Sequence, residues 1–218
     1  MVLAAVFDND GLLLDTEEAW TRAEVRLFPG HGSVFTMDHK RDLIGYSHTV
    51  AATKLEAMLG LPGQGEALRD ELVVLVHEEA VAEPILPRPG AVDLLDALGA
   101  AGVPIGLASN SLRPFVDLVL ASAGLADRFH VVVSGDEVAR PKPAPDLYLA
   151  ACAGLGVDPS AAVALEDSPT GVASARAAGM RVIGVPYLDG ILLDADVVAA
   201  SLAAPEVFAA LDLGPSVG

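Results

Sequence analysis

The chain has 218 residues, with 13 Lys and Arg against 30 Asp and Glu, which gives a formal net charge of −17. Apolar residues make up 52% of the sequence, so the chain can bury a full core and is not of the disordered or low-complexity class. Such an acidic protein repels phosphate backbones and anionic lipids, so we expect neither a nucleic acid nor a membrane as partner. The single cysteine, Cys152, excludes an internal disulfide framework and cysteine-rich zinc sites.

The first apolar run covers residues 2–7 and ends at Asp8. It is short and has no basic flank, so it predicts a buried strand rather than a signal peptide. Elsewhere charged residues interrupt every stretch that approaches the length needed to span a bilayer. We therefore expect a soluble cytoplasmic protein, and a monomer.

Short apolar runs alternate with helical patterns along the rest of the chain. The predicted strands cover residues 2–7, 103–108, 131–134, 162–165 and 182–185. The predicted helices cover residues 91–101, 114–123, 146–153, 170–178 and 205–211, and the first four stop at Gly102, Gly124, Gly154 and Gly179. This alternation predicts an α/β fold with a parallel sheet covered on both faces.

Residues 15–85 depart from that alternation and contain no convincing strand. Helical patterns cover residues 17–28, 37–44, 48–59 and 66–82. We expect an all-helical segment, 15–85, inserted into a core formed by residues 1–14 and 86–218. The chain would pass between core and insert at two adjacent segments, residues 11–16 and 83–90. Such an insert can hinge as a lid, or it can form a fixed helical layer, and the sequence leaves both alternatives open.

Polar side chains follow four of the predicted strands. They are Asp8, Asp10, Ser109, Asn110, Lys142, Glu166 and Asp167. Ligands of open α/β sheets bind beyond the carboxyl ends of the strands. We therefore expect these residues to meet in one pocket.

The residue types at those positions suit phosphate chemistry with a hard metal ion. The carboxylate of Asp8 can attack phosphorus, and Asp10 can protonate the leaving oxygen and then deprotonate a water. For Asp8 and Asp10 alone, a structural cation site or a capped turn is the favoured interpretation, and Asp167 and Lys142 shift the balance to phosphate chemistry. Glu166 and Asp167 would complete a site of oxygen ligands that suits Mg²⁺ better than Zn²⁺.

Two further residues fit an anionic substrate. Lys142 is one of three lysines and stands between prolines, where a fixed ammonium can neutralise transition-state charge. Ser109 can donate a hydrogen bond to a phosphate oxygen. A solvated loop lysine and a turn serine are the alternative interpretations, and the five histidines form no metal-spaced pair.

Taken together, the motifs resemble those of the haloacid dehalogenase-like hydrolases. The matching segments are Phe7-Asp8-Asn9-Asp10-Gly11, Leu107-Ala108-Ser109-Asn110, Lys142-Pro143 and Leu165-Glu166-Asp167-Ser168. The resemblance implies a Rossmann-like parallel-sheet core with an inserted all-helical cap domain. It also implies catalytic roles for Asp8, Asp10, Ser109 and Lys142, and Mg²⁺ held by Asp8, Asp10 and Asp167 with Glu166 beside them.

Within that family, the presence of Asp10 disfavours the dehalogenase and phosphonate-cleaving reactions. A phosphatase of small phosphorylated metabolites, sugar phosphates among them, and a β-phosphoglucomutase-type mutase are the remaining alternatives. The mutases carry a cap histidine where this chain has Trp20, so we favour the phosphatase. A non-catalytic binding protein is a third hypothesis, which the intact pair Asp8 and Asp10 disfavours.

Substrate specificity is expected to come from the cap. The residues assigned to substrate binding are Asn110, Glu17, Trp20, Gly45, Ser47 and His48. Trp20 can stack on a sugar face, or it can be a core residue of the cap.

Overall fold

The computed structural model of the chain describes residues 2–43, 48–188 and 190–214. Within these ranges six strands form one parallel sheet. They are β1 (Ala4–Phe7), β2 (Ile105–Ala108), β3 (Val131–Val133), β4 (Ala162–Glu166), β5 (Arg181–Gly184) and β6 (Val197–Val198). Their order is β3-β2-β1-β4-β5-β6, so the chain order reverses between β1 and β4. The predicted parallel α/β fold is confirmed.

Helices cover both faces of this sheet. In the described part of the chain they are α1 (Thr16–Gly30), α2 (Met37–Leu43), α3 (His48–Leu59), α4 (Gly65–Ala82), α5 (Ala91–Ala100), α6 (Arg113–Ser122), α7 (Asp146–Leu155), α8 (Pro169–Ala177) and α9 (Pro205–Ala210). No helix among the described residues is long and apolar enough to cross a membrane.

The period-2 alternation of β1 divides the core in two. Ala5 and Phe7 belong to the larger apolar cluster, which includes residues of α5, α6 and α9. Ala4 and Val6 belong to the second cluster, with α7 and α8. All four side chains are fully buried, as expected for a strand covered on both faces.

Two details differ from the sequence predictions. Strand β6 has two residues, too short to leave a periodic signal, and was not predicted. Helix α7 continues through Gly154 and ends at Gly156, which takes the left-handed conformation. At Gly154 a side chain would press against Val131 of β3, so this glycine permits close packing of helix on sheet instead of ending the helix.

Helices α1 to α4 lie one after another between β1 and α5, and we call this part of the chain the helical insert. Leu27 of α1, Leu55 of α3 and Leu68 of α4 are fully or almost fully buried and belong to the larger apolar cluster. Glu79 of α4 also accepts hydrogen bonds from Arg22 and Arg26 of α1. The four-helix prediction for 15–85 agrees with these elements, except that residue 44 lies outside the described residues.

The two chain crossings between core and insert run beside each other. The Asp15 N–H donates to the Leu86 carbonyl oxygen, and the Arg88 N–H donates to the Leu13 carbonyl oxygen, both at 2.9 Å. Tyr187, from the loop after β5, donates its hydroxyl to Asp15 Oδ1 at 3.0 Å. The division into a core of residues 1–14 and 86–218 and a cap of residues 15–85 stays a prediction.

Candidate active site

The site lies where β1 and β4 end side by side. The Asp8 N–H donates to the Leu165 carbonyl oxygen at 3.0 Å, which continues the β1–β4 pairing past the last strand residue. Glu166 ends β4 and Asp167 follows it. The reversal of strand order at β1 and β4 leaves a crevice at their carboxyl ends, the usual ligand position of such sheets.

Lys142 lies at the centre of this edge. Its Nζ is 2.5 Å from Asp8 Oδ1 and 2.6 Å from Glu166 Oε1. Burial, the largest influence, lowers the pKa of Lys142, but the two carboxylates outweigh it and hold that pKa above its usual value. The ammonium is therefore permanently charged and held in place.

Glu166 is the most enclosed acid of the group, with no exposed surface. Its Oε1 accepts from Lys142 and from the Tyr148 hydroxyl at 2.6 Å, and its Oε2 accepts from the Asp167 N–H at 3.2 Å. A Cβ at position 171 would overlap the Glu166 carboxylate, so the glycine is required for this packing. Both oxygens have partners, which suits a residue that positions Lys142.

Three carboxylates face this single ammonium. Ligand oxygens of Asp8, Glu166 and Asp167 lie within 4.8 Å of one another, and all three side chains are buried. Burial, the largest cause, raises the pKa values of Asp8 and Asp167 well above the ordinary range. The group carries more negative charge than Lys142 neutralises, and its donors are all oxygen. It is therefore a fitting site for a hard divalent cation.

Asp10 is held by two hydroxyl groups. Ser109 and Ser111 donate to Asp10 Oδ2 at 2.8 and 2.9 Å. The other oxygen, Oδ1, is buried and has no hydrogen-bond partner in the structure. Asp10 therefore has one oxygen that is fully engaged and one that is available to a ligand.

Asn110 joins the loops after β2 and β3. Its Oδ1 accepts from the Lys142 N–H at 2.8 Å, and its Nδ2 donates to the Lys142 carbonyl oxygen at 3.4 Å. This double contact sets the backbone from which the Lys142 side chain extends. The structure thus gives Asn110 a positioning contact, and the prediction that it binds substrate stays untested.

A cleft of about 780 Å³, part of it open to solvent, lies between this edge and the helical insert. Its core side includes Asp8, Asp10, Asn110, Ser111, Lys142, Asp167 and Ser168, and its insert side includes Glu17, Trp20, Glu24, Lys40 and Arg69.

The structure describes only some of the residues that were predicted to bind substrate from the cap. Glu17 is buried beside Lys40, with Oε2 and Nζ 2.6 Å apart. Trp20 is half-buried and meets Phe115 of α6 edge to face at 5.5 Å, so it both lines the cleft and packs against the core. Gly45 and Ser47 lie outside the described residues, as does the side chain of His48.

Sequence reasoning missed several residues of the site. Ser111, Tyr148, Glu24 and Lys40 were not singled out, although all four contact or line it. The seven-residue spacing of Glu17 and Glu24 puts both on one face of α1, a signal that was present in the sequence. Tyr148 reads as an ordinary apolar helix residue, and no pattern marks its hydroxyl.

Comparison with known proteins agrees with this geometry. The family model of haloacid dehalogenase-like hydrolases matches residues 2–179. Protein CbbY of Rhodobacter capsulatus is 36% identical over 194 residues, which cover 84% of this chain and 85% of that protein. Hexitol phosphatase B of Escherichia coli is 35% identical over 191 residues, covering 85% of this chain and 84% of that protein.

A solved structure extends the likeness to three dimensions. CbbY from Rhodobacter sphaeroides, in complex with phosphate, superposes with a TM-score of 0.84 at 30% identity, covering 98% of this chain and all of that one. The predicted resemblance is confirmed, and the chain belongs to the haloacid dehalogenase-like hydrolases.

Proposed function

We propose that the protein is a Mg²⁺-dependent phosphatase that hydrolyses small phosphorylated metabolites through a phosphoryl group carried on Asp8. The observation that carries the proposal is the contact of Lys142 with Asp8, 2.5 Å apart, beside two further buried carboxylates. A buried carboxylate with a fixed cation beside it can approach an anionic phosphate and attack it.

In the first step an oxygen of Asp8 forms a bond to phosphorus and the bond from phosphorus to the ester oxygen breaks. The ammonium of Lys142 neutralises the charge on the transferring group. Asp8, Asp167 and the backbone of Asp10 would hold Mg²⁺, with Glu166 beside them, and the ion would supply further charge neutralisation to the phosphoryl oxygens. Ser109 has a single hydroxyl proton, which it donates to Asp10 Oδ2, so its predicted contact with a phosphate oxygen stays untested.

Proton transfer falls to Asp10. Because Ser109 and Ser111 already donate to Oδ2, the proton that Asp10 delivers to the leaving oxygen belongs on Oδ1, the oxygen without a partner. In the second step the same oxygen takes a proton from water, the water oxygen attacks phosphorus, and the bond to Asp8 breaks. The step returns Asp8 as a carboxylate and releases inorganic phosphate.

The substrate class is proposed from the cleft and from the relatives. Hexitol phosphatase B is a phosphatase by name, and the CbbY structure contains phosphate. The polar side chains that line the cleft suit a sugar or polyol phosphate, with the insert, residues 15–85, as a separate cap domain over it. Glu17 and Trp20 line its insert side, and Gly45, Ser47 and His48 stay assigned to substrate binding as predictions.

The test is phosphate release from a panel of phosphomonoesters with Mg²⁺, with EDTA, and in Asp8→Asn. Asp38→Asn, at an acid of α2 whose side chain is 90% exposed, is the matched control. We expect Mg²⁺-dependent release by the wild type and by Asp38→Asn, and none by Asp8→Asn.

A folded wild-type protein that releases no phosphate from any monoester would overturn the phosphatase. Interconversion of hexose 1- and 6-phosphates with little net release would establish the mutase instead. Among the described side chains that line the cleft there is no histidine.

A further inference from the structure

Tyr148 of α7 lies behind the charged group at the sheet edge and touches two of its members. Its side chain has no exposed surface and belongs to the apolar cluster that also contains Leu147 and Ala151 of α7. It is not among the described residues that line the cleft, so it does not reach a ligand there. Any effect of Tyr148 on the reaction must therefore pass through its neighbours.

The hydroxyl of Tyr148 fixes one oxygen of Glu166. It donates to Glu166 Oε1 at 2.6 Å, and Lys142 Nζ donates to the same oxygen at 2.6 Å. A carboxylate oxygen has two lone pairs, so these two donors fill Oε1. The hydroxyl therefore leaves the ammonium of Lys142 a single direction of approach to this oxygen.

The ring of Tyr148 contacts the other partner of that hydrogen bond. Lys142 Nζ lies over the face of the ring, 5.0 Å from its centroid. A cation within about 6 Å of an aromatic face is attracted to it, and the attraction is stronger where water is excluded. Because Tyr148 and Lys142 are both buried, the ring adds a third attraction to those that Asp8 and Glu166 exert on the ammonium.

Lys142 lies between two carboxylates that compete for it. Its Nζ is 2.5 Å from Asp8 Oδ1 and 2.6 Å from Glu166 Oε1, and a lysine ammonium sits on a flexible stem that can shift towards either one. When Asp8 bonds to phosphorus, its negative charge passes to the transferring group, and the ammonium must stay with that charge. A Glu166 whose Oε1 already accepts from an uncharged hydroxyl competes less strongly for the ammonium.

We infer that Tyr148 is a positioning residue of the reaction, which holds the ammonium of Lys142 beside Asp8 during phosphoryl transfer, with its ring against the ammonium and its hydroxyl on Glu166. The inference rests on the proposed phosphatase and adds a residue to its machinery. The alternative is a purely structural hydroxyl, which satisfies a polar group in the core and leaves the reaction unaffected.

The first experiment removes the hydroxyl alone, in Tyr148→Phe, and measures kcat and KM for the best phosphomonoester of the panel. We expect kcat to fall about 10- to 100-fold, because a displacement of about 1 Å at the reacting groups can cost that much. KM should change by less than about twofold, since Tyr148 does not contact the substrate. Circular dichroism verifies folding, and a Tyr148→Phe protein that does not fold would make the hydroxyl structural and overturn the inference.

Tyr187→Phe is the matched control. It also removes a tyrosine hydroxyl that donates to a carboxylate, Asp15 Oδ1 at 3.0 Å, but away from the reacting groups. Its kcat should change by less than about twofold. Equal losses of kcat in the two variants would overturn the inference.

A double-mutant cycle tests whether Tyr148 acts through Lys142. In a Lys142→Met background there is no ammonium to position, so adding Tyr148→Phe should lower the single-turnover rate by less than about twofold further. A structural hydroxyl would cost the same factor in both backgrounds, because the two losses would then be independent. That result would overturn the inference.

Calorimetric binding of orthovanadate and of inorganic phosphate, both with Mg²⁺, separates the two proposals. Orthovanadate takes up the five-coordinate geometry of phosphoryl transfer, so it probes positioning without turnover. Tyr148→Phe should bind orthovanadate about tenfold or more weakly than the wild type and bind phosphate with an affinity changed by less than about twofold.

If the wild type releases no phosphate from any monoester but Tyr148→Phe selectively weakens orthovanadate binding, the phosphatase fails and the positioning role stands. If phosphate is released but Tyr148→Phe leaves kcat or orthovanadate binding unchanged, the positioning role fails and the phosphatase stands. A wild type that binds neither anion would overturn the positioning role.

Discussion

The two sides of the cleft hold their charges in opposite ways. On the core side, Lys142 joins Asp8 and Glu166 at 2.5 and 2.6 Å, and Glu166 has partners on both oxygens. On the insert side, Glu24 is buried with an oxygen that has no hydrogen bond. The core side thus has partners for both oxygens of its most enclosed carboxylate, whereas the insert side has a buried carboxylate oxygen that lacks one.

The difference follows the elements that carry each side. The core residues stand at the ends of parallel strands, and the hydrogen-bonded register of those strands fixes their backbone positions. The insert residues stand on helices whose relative positions depend on side-chain packing. Preorganisation of reacting groups is worth several kcal/mol in catalysis, so the more rigid frame is found where the chemistry occurs.

The largest effect is expected from removing the cation of the core side. Lys142→Met leaves Asp8 and Glu166 buried without their counter-charge, which should lower the free energy of unfolding by about 3–5 kcal/mol in metal-free buffer. Catalytic efficiency should fall by about 10²–10³-fold. Urea denaturation and phosphate release measure the two effects.

Arg140→Met is the control, because the Arg140 side chain is 71% exposed. It should change the free energy of unfolding by less than about 0.5 kcal/mol. Equal losses of unfolding free energy in both variants would refute the role of Lys142 as the counter-charge of Asp8 and Glu166.

The next largest effect is expected from the ionisation of Glu24, on the insert side, as the pH rises. Burial, the largest cause, raises the pKa of Glu24 from 4.5 to about 7. The folded protein therefore binds this proton more tightly than the unfolded chain, and stability is lost as pH rises from 4.5 through 7. The shift corresponds to at most about 3 kcal/mol. Between pH 5 and pH 8, with Mg²⁺ present, the free energy of unfolding of the wild type should fall by up to about 3 kcal/mol more than that of Glu24→Gln.

Urea denaturation at the two pH values measures the difference, with Glu18→Gln as the control that should follow the wild type. Parallel pH curves for the wild type and Glu24→Gln would mean that Glu24 ionises normally. The insert side would then resemble the core side in having its charge satisfied.

A third effect concerns the hydroxyl pair on Asp10. Ser111→Ala removes one of the two donors to Asp10 Oδ2, so Oδ1 is no longer the only oxygen open to the leaving group. We expect kcat to fall about 10- to 100-fold with KM nearly unchanged, the range for a hydrogen bond to a charged group. Ser160→Ala, which breaks a similar hydroxyl contact with Asp158 at the surface, is the control. A rise in KM alone would assign Ser111 to binding.

The smallest effect is expected at the junction of the two sides. Tyr187→Phe removes the hydroxyl that donates to Asp15 and should lower the free energy of unfolding by about 0.5–1.5 kcal/mol. Urea denaturation detects the change. No loss in Tyr187→Phe would indicate that water replaces the hydroxyl at Asp15, and that the junction depends on backbone contacts alone.

The phosphate side of the site was predictable because parallel strands end together. Residues 2–7 and 162–165 were predicted as parallel strands that end at one edge of a sheet, and the pairing of β1 with β4 brings Asp8 and Asp167 together. Lys142 was identifiable because lysine is rare in this chain. The edges of these elements shift by one or two residues, as hydrogen bonding rather than hydropathy sets them.

The insert side was not predictable to the same degree. Glu24 and Lys40 look like ordinary charges on the solvated face of a helix, and both are buried only in the folded arrangement of the insert. The sequence predicted that Ser109 contacts the phosphate, but in the structure its hydroxyl donates a hydrogen bond to Asp10. This contact joins two loops that are far apart in the sequence, so no local pattern predicts it. Long-range pairing of this kind depends on the relative positions of whole elements.

The paired crossings at Leu13–Asp15 and Leu86–Arg88 have a consequence for how such a protein can change over evolutionary time. The chain leaves the sheet layer and returns to it through two segments that hydrogen-bond each other at 2.9 Å. Any segment inserted between these two crossings must begin and end at the same short distance, so an insert of another length or shape can replace it without moving β1 or α5. The hydrogen-bonded junction therefore keeps both crossings at one place beside the sheet edge, whatever the length of the segment between them.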